Sequence, residues 1–192
     1  MASAALSAEN IRLLAEKGTP YWEDEASVNG IWVGLLAKAF PGSDSFVLQP
    51  EGQGEGGRMR NDILVRKIIN FESGKQEACL VFEGKSSTGD SLDQAVNQLL
   101  VFVKTSPKLN EIRKLWGIIA RGTEFRLLFF HDLVPHELQL RRPDLTDPDT
   151  GRPSLNKTST IYNLMKPGDK AGSVESVQLF LAYASTHLDW TG

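Results

Sequence analysis

Asp62 opens one apolar run, Asp62-Ile63-Leu64-Val65, and Glu83 and Lys85 close another, Cys79-Leu80-Val81-Phe82-Glu83-Gly84-Lys85. Side chains of an extended strand alternate between faces, so Glu83 and Lys85 share one face and Leu80 and Phe82 the other. Strands that are apolar on both faces lie inside sheets. A charge at the end of such a strand costs on the order of several kcal/mol unless it is paired or holds a metal. A hairpin joining the two runs brings Asp62 and Glu83 side by side. Two carboxylates hold a hard cation through oxygen, and a neighbouring ammonium orients or helps to deprotonate an attacking water. The chemistry this set would serve is metal-assisted hydrolysis of a phosphodiester, with Lys85 steadying the developing charge. The same three charges also suit a surface ion pair on a hairpin, so the surrounding elements carry weight.

Those elements follow from periodicity and punctuation. Residues 21–40 carry Val28, Trp32, Leu35, Leu36 and Phe40 at helical spacing between Pro20 and Pro41-Gly42, which predicts a first amphipathic helix. Residues 49–60 hold Gly52, Gly54, Gly56 and Gly57 with no Gly-Lys-Ser/Thr to close them, and read as a flexible loop leading into the site. Two strands, 62–69 and 77–85, flank a turn at 70–75. A second helix is predicted over 91–105, with Leu92, Val96, Leu99 and Val103 on one face, Asp90 or Ser91 as its cap and Pro107 beyond its end. Residues 115–120 and 124–130 predict another hairpin around Arg121-Gly122-Thr123. The segment 131–172 is loop-rich. Its stretch 141–157, crowded with proline, aspartate and glycine, reads as a surface loop or a partly disordered insertion, and a last helix falls within 173–189.

Asn61-Asp62, then Glu83-Gly84-Lys85 about twenty residues later, then a helix containing Gln98-Leu99-Leu100-Val101-Phe102, resembles the PD-(D/E)XK nuclease superfamily with its downstream glutamine motif. The resemblance spans residues 21–130 in the order αβββαβ. It implies an α/β fold: one domain over 1–192, a central mixed β-sheet flanked by helices, and a restriction-endonuclease-like core. It also implies that Asp62 and Glu83 ligate Mg²⁺ or Mn²⁺, that Gly84 lends its carbonyl, and that Lys85 is catalytic, with Gln98 beside it. The family usually adds a glutamate from its first helix; Glu25 fits, because it continues the face of Val28 and Trp32 where Glu23 does not. The chain departs from the pattern in two places. Asn61 replaces the name-giving proline, which is not a ligand, and Phe102 stands where tyrosine is commoner. Pro143-Asp144 and Pro148-Asp149 are followed by no E-x-K in a strand. Gln98 also reads as a flank amide beside the stripe of Ala95, Leu99 and Phe102, and Gln94, one turn earlier, could replace it. Glu25 also reads as a solvated first-turn glutamate favoured by the helix dipole.

A chain of 192 residues, 41% hydrophobic and 23% charged, suits one globular domain. It has no apolar run near 18 residues and no basic start followed by an apolar stretch, so the expectation is an intracellular protein, cytoplasmic or nuclear, without a membrane span. A net charge of −3 lacks the basic footprint of a tight non-specific nucleic-acid binder. A bound cation would offset the carboxylates, and Arg58, Arg60, Lys104, Lys108, Arg113 and Lys114 could form a basic rim or simply a solvated surface. Cys79 reads as a small buried hydrophobe. His131, His136 and His187 have no partner at metal or triad spacing. Trp32, Trp116 and Trp190 read as core, whereas Trp22, beside Glu23-Asp24-Glu25, is the candidate for an exposed ring near the site. The expected function is a Mg²⁺- or Mn²⁺-dependent nuclease acting on DNA or RNA. The alternative is a catalytically inactive nuclease-fold module that binds nucleic acid or a protein partner. Either leaves room for a homodimer, or for a regulatory protein docking on 141–157.

Overall fold

The computed structural model describes residues 10, 13, 19–53, 60–105, 114–131, 140, 141, 143–147, 150–155, 160–165 and 173–188. A short helical turn, α1 (Thr19–Trp22), precedes the first long helix, α2 (Glu25–Ala39). Asp24 separates them, because its carboxylate accepts hydrogen bonds from the backbone N–H groups of Ala26 at 3.3 Å and Ser27 at 3.2 Å and so caps α2. The continuous helix expected over 21–40 therefore begins at Glu25, and Trp22 belongs to the turn before it. Val28, Ile31, Trp32, Leu35 and Leu36 form the buried stripe of α2.

Strands β1 (Phe46–Gln53), β2 (Arg60–Asn70) and β3 (Lys75–Lys85) form an antiparallel meander. The β2–β3 turn is held by Asn70 Oδ1, which accepts the Ser73 N–H at 2.9 Å, and by Gly74 in the left-handed region at φ +67°. Helix α3 (Leu92–Thr105) then crosses over to β4 (Lys114–Arg121), which pairs parallel with β3, and β5 (Glu124–His131) returns antiparallel. A parallel pair needs such a crossover, so α3 is forced onto one face of the sheet. The two-residue strands β6 (Leu140–Arg141) and β9 (Tyr162–Asn163) both pair with β5. The result is an α/β domain with a mixed sheet ordered β1-β2-β3-β4-β5-β6.

Helices cover both faces. Trp32 of α2 and Phe180 of α4 (Val174–Thr186) pack on one side against Val65, Leu80, Phe82, Trp116 and Phe129. On the other, Ala95, Val96, Leu99 and Phe102 of α3 pack against Leu64, Val81, Ile119 and Leu128. The near-continuous burial of β3 and β4 matches strands covered on both sides. Among the described residues, no helix is long and apolar enough to cross a membrane.

Two expected loops are partly strands. The stretch 49–60 supplies the end of β1 and the start of β2, while 54–59 lie outside the described residues. Pro50 and Gly52 hid β1 because both weaken strand propensity. Proline is tolerated here because β1 is the outermost strand, and Pro50 pairs only with Ile63. Within 141–157, β7 (Pro143–Asp147) and β8 (Arg152–Leu155) form a second, two-stranded sheet. Asp144 and Leu145 are buried. Tyr162 donates its hydroxyl to Asp144 Oδ1 at 3.0 Å and accepts the Leu145 N–H at 2.7 Å. Gly151, at φ +70°, lies against the backbone of α4, where a Cβ would stand 2.3 Å from the Leu179 carbonyl carbon. That part of the segment is therefore a hairpin packed on α4 rather than an unstructured loop. Asp149, Pro148 and Lys157 lie outside the described residues.

Candidate active site

Strand parity places Asp62 with Leu64, and Glu83 and Lys85 with Val81, all on the α3 face of the sheet. The β2–β3 pairing in this region ends at Ile63 opposite Phe82. Just past it, the Asp62 side chain substitutes for a backbone partner: its Oδ2 accepts the Gly84 N–H at 2.7 Å. Lys85 Nζ donates to Glu83 Oε1 at 2.7 Å. Asp62, Glu83, Gly84 and Lys85 thus meet at one end of the central strands. The same end of β3 is stitched to the β4–β5 turn by Gly122, which donates its N–H to the Lys85 carbonyl at 2.9 Å.

Glu83 is only 5% exposed. Burial pushes its carboxyl up to about 7; the Lys85 hydrogen bond opposes this, and the charge of Asp62 adds to it. Burial alone would lower Lys85, but the hydrogen bond and charge of Glu83 outweigh it, so its pKa is raised. Glu25, on the exposed first turn of α2, is also raised, by partial burial and by the charges of Asp62 and Asp90, with Lys85 opposing. The first turn of α2 therefore lies within electrostatic reach of the Asp62 and Lys85 charges.

The displacement of Glu83 has a sign that can be measured. Its folded pKa, about 7, lies above the ordinary 4.5, so the folded state holds the proton more tightly. Its favourable effect is complete below pH 4.5 and is lost as pH rises through 7. The metal-free protein is expected to lose on the order of 2 kcal/mol over that window, and Glu83→Gln is expected to remove that part of the slope. Urea unfolding at pH 4.5, 6 and 8 in EDTA checks this; parallel curves for the two proteins would mean that Glu83 titrates normally.

Gln98 does not join the group. Its Nε2 donates to Asp90 Oδ2 at 2.8 Å, at the mouth of α3. Gln94 is occupied as well: its Oε1 accepts the Ser91 N–H at 2.8 Å while Ser91 Oγ accepts the Gln94 N–H at 3.3 Å, a reciprocal cap. Trp22 is buried rather than exposed, and its carbonyl accepts the Ser87 N–H at 2.8 Å beside the site. Trp32 and Trp116 are core, and Cys79 is buried with its thiol pushed up to about 11 by burial. His131 is buried, His187 stacks on Tyr183, and His136 and Trp190 lie outside the described residues.

Of the expected basic rim, the two members whose side chains are described lie away from the site. Lys104 and Lys114 sit at the last turn of α3 and the first residue of β4, about 20 Å from the site end of those elements. Arg58, Lys108 and Arg113 lie outside the described residues, as does the side chain of Arg60. Among the described residues, cations near the site besides Lys85 are Arg121, whose register partner in β3 is Lys85, and Arg126, buried on the α3 face and ion-paired with Asp93. Sequence reading missed both. The strand alternation that placed Glu83 also places them, since Ile119 and Leu128 fix the parity of β4 and β5. It missed Asn29 too, which follows Glu25 by one helical turn and meets Gly84: a Cβ at Gly84 would stand 2.0 Å from Asn29 Oδ1.

Two carboxylates with hard oxygen donors suit Mg²⁺ or Mn²⁺. Among the described residues no three His, Cys, Asp or Glu side chains form a group that could enclose a metal ion. Mg²⁺ does not need such a cage, because it is commonly held by one or two carboxylates, its own waters and substrate phosphates. Burial is the main cause that raises Glu83, with smaller contributions from the charges of Asp62 and Glu25. No protein-family model, curated protein or solved structure matches this chain.

Proposed function

We propose that this protein is a divalent-metal-dependent nuclease of the PD-(D/E)XK type, cutting phosphodiester bonds of DNA or RNA. One observation carries the reading: a nearly buried glutamate at the end of a central strand, bonded to the lysine two residues on, with an aspartate of the neighbouring strand clasping the peptide N–H between them. A scaffold gains little from keeping such charges out of water. The order α2-β1-β2-β3-α3-β4 reads αβββαβ, which supports a restriction-endonuclease-like core.

Asp62 and Glu83 would hold the cation, with the Gly84 carbonyl as a further oxygen and Glu25 at the rim. The cation supplies Lewis acidity toward the phosphate and a more acidic water. Lys85, with its raised pKa, stays protonated at neutral pH, so its Nζ donates to negative charge building on the phosphate rather than accepting a proton. The Asp62 bond to Gly84 N–H keeps both carboxylates at one level of the sheet.

The test is calorimetric titration of Mn²⁺ into the purified protein. Labelled single- and double-stranded DNA and RNA are then incubated with it, with and without EDTA. Saturable Mn²⁺ binding and EDTA-sensitive cleavage of at least one polymer are expected. A folded protein that binds no Mn²⁺ and cuts nothing would transfer the site to the second reading, a binding platform on a nuclease-like fold.

A further inference from the structure

The charges at this end of the sheet are sorted across it. Asp62 lies on β2, Glu83 and Lys85 on β3, Arg121 at the end of β4 and Arg126 near the start of β5, and strand parity puts all of them on the α3 face. Two of the cations are already paired: Lys85 Nζ bonds Glu83, and Arg126, buried under α3, bonds Asp93. Arg121 differs. It is half-buried, and its Nε donates to the Gly89 carbonyl at 3.4 Å, in the turn that leads into α3. Among the described residues no carboxylate pairs with it, although Glu124 is its register partner on β5. Its register partner on β3 is Lys85, and like charges on neighbouring strands repel. An anion lying over the two would turn that repulsion into a shared attraction. With Nε taken, the Nη groups of a guanidinium still form a fork that matches the oxygens of a phosphate.

Glu83 pairs with Ile119, so Arg121 lies one strand over and two residues on from Glu83, about 8 Å between backbones. That is close to one phosphate step of a nucleic-acid strand. We propose that Arg121 holds the phosphate next to the scissile one, so that the substrate is a strand with at least two successive phosphates, laid from the carboxylates of β2 and β3 across the end of β4. The proposal rests on the nuclease reading for the scissile phosphate, but it concerns a residue which that reading does not require.

The experiment measures kcat and KM of wild type, Arg121→Gln and Arg121→Lys in Mn²⁺, on the labelled oligonucleotide that wild type cuts best, over a series of KCl concentrations. Arg121→Gln is expected to raise KM about tenfold while kcat changes far less, and to make log KM climb less steeply with log salt, by about one unit of slope. Arg121→Lys keeps the charge without the fork, so it is expected to retain the slope and to raise KM about two- to threefold. Arg121→Met, which keeps an apolar stem, carries the same comparison if the glutamine variant does not fold. Wild-type KM and slope in the variant without the charge would overturn the proposal and leave the nuclease reading standing. A fall in kcat at unchanged KM would overturn it too, by making Arg121 a structural tie to Gly89. A wild type that cuts nothing would remove the nuclease reading first, and this proposal with it.

Discussion

Replacing Lys85 by methionine is expected to slow phosphodiester cleavage by about 10³-fold while leaving the protein folded. Methionine keeps the straight, apolar stem of lysine, so the packing along β3 survives and only the charge is lost. Two consequences separate chemistry from binding. The Lys85 donor to the developing phosphate charge is then missing, which lowers the rate at saturating metal. Glu83 also loses the group that holds its carboxyl down, leaving burial and Asp62, which both push it above about 7. At neutral pH it would carry a proton, and a protonated carboxyl is a poor ligand. Mn²⁺ affinity of Lys85→Met is therefore expected to fall at pH 7 and to recover toward pH 9. Asp62→Ala should behave differently: it removes the repulsion, lets Glu83 titrate lower, and loses Mn²⁺ at every pH. Rate and affinity profiles from pH 6 to 9 distinguish the two. Cleavage by Lys85→Met at the wild-type rate would make the Lys85–Glu83 contact a structural ion pair.

Gly84→Ala is the second substitution with a large expected effect. The new methyl would stand 2.0 Å from Asn29 Oδ1 and 3.0 Å from Phe82 Cζ, so the α2 side chain must give way or β3 must shift. Overpacking of this kind costs about 2–3 kcal/mol. A shift of β3 also disturbs the Gly84 N–H that Asp62 clasps, and displacing catalytic groups by about an ångström costs on the order of 10²-fold in rate. Adding Asn29→Ala in the same chain removes the obstructing oxygen and is expected to restore most of the stability. Denaturant midpoints of the two single variants and the double variant, read as a thermodynamic cycle, measure the coupling. Strictly additive effects would show that Asn29 does not press on Gly84.

The parts of this molecule legible in the sequence are those governed by short-range pattern. Period-two alternation in 77–85 told which residues share a face, and the stripe of Leu92, Val96, Leu99 and Val103 located α3. Punctuation was less reliable. Pro50 and Gly52 lowered the strand signal of β1, which forms because β2 offers it a partner, and the prolines and glycines of 143–155 obscured a hairpin that Gly151 lets press on α4. Side-chain direction at a distance was not legible. Gln98 lies at the right level of α3, but Asp90 captures its amide, and a contact formed by loop geometry leaves no periodic trace. Trp22 looked exposed beside three acids, yet a single capping residue, Asp24, ends its turn and lets the ring fold under. Asn29 was hidden for a related reason, since its importance depends on a glycine more than fifty residues away.

Pro50 carries one more consequence. An open strand at the border of a sheet is a template on which another chain can lay its own strand, the first step toward aggregation. β1 occupies that border, and a proline within it offers no N–H to an incoming partner. Such a partner would miss a rung midway along its length. The residue that made β1 hard to recognise thus also guards the sheet against self-association along this edge, and it disfavours any dimer built by joining β1 to its own copy.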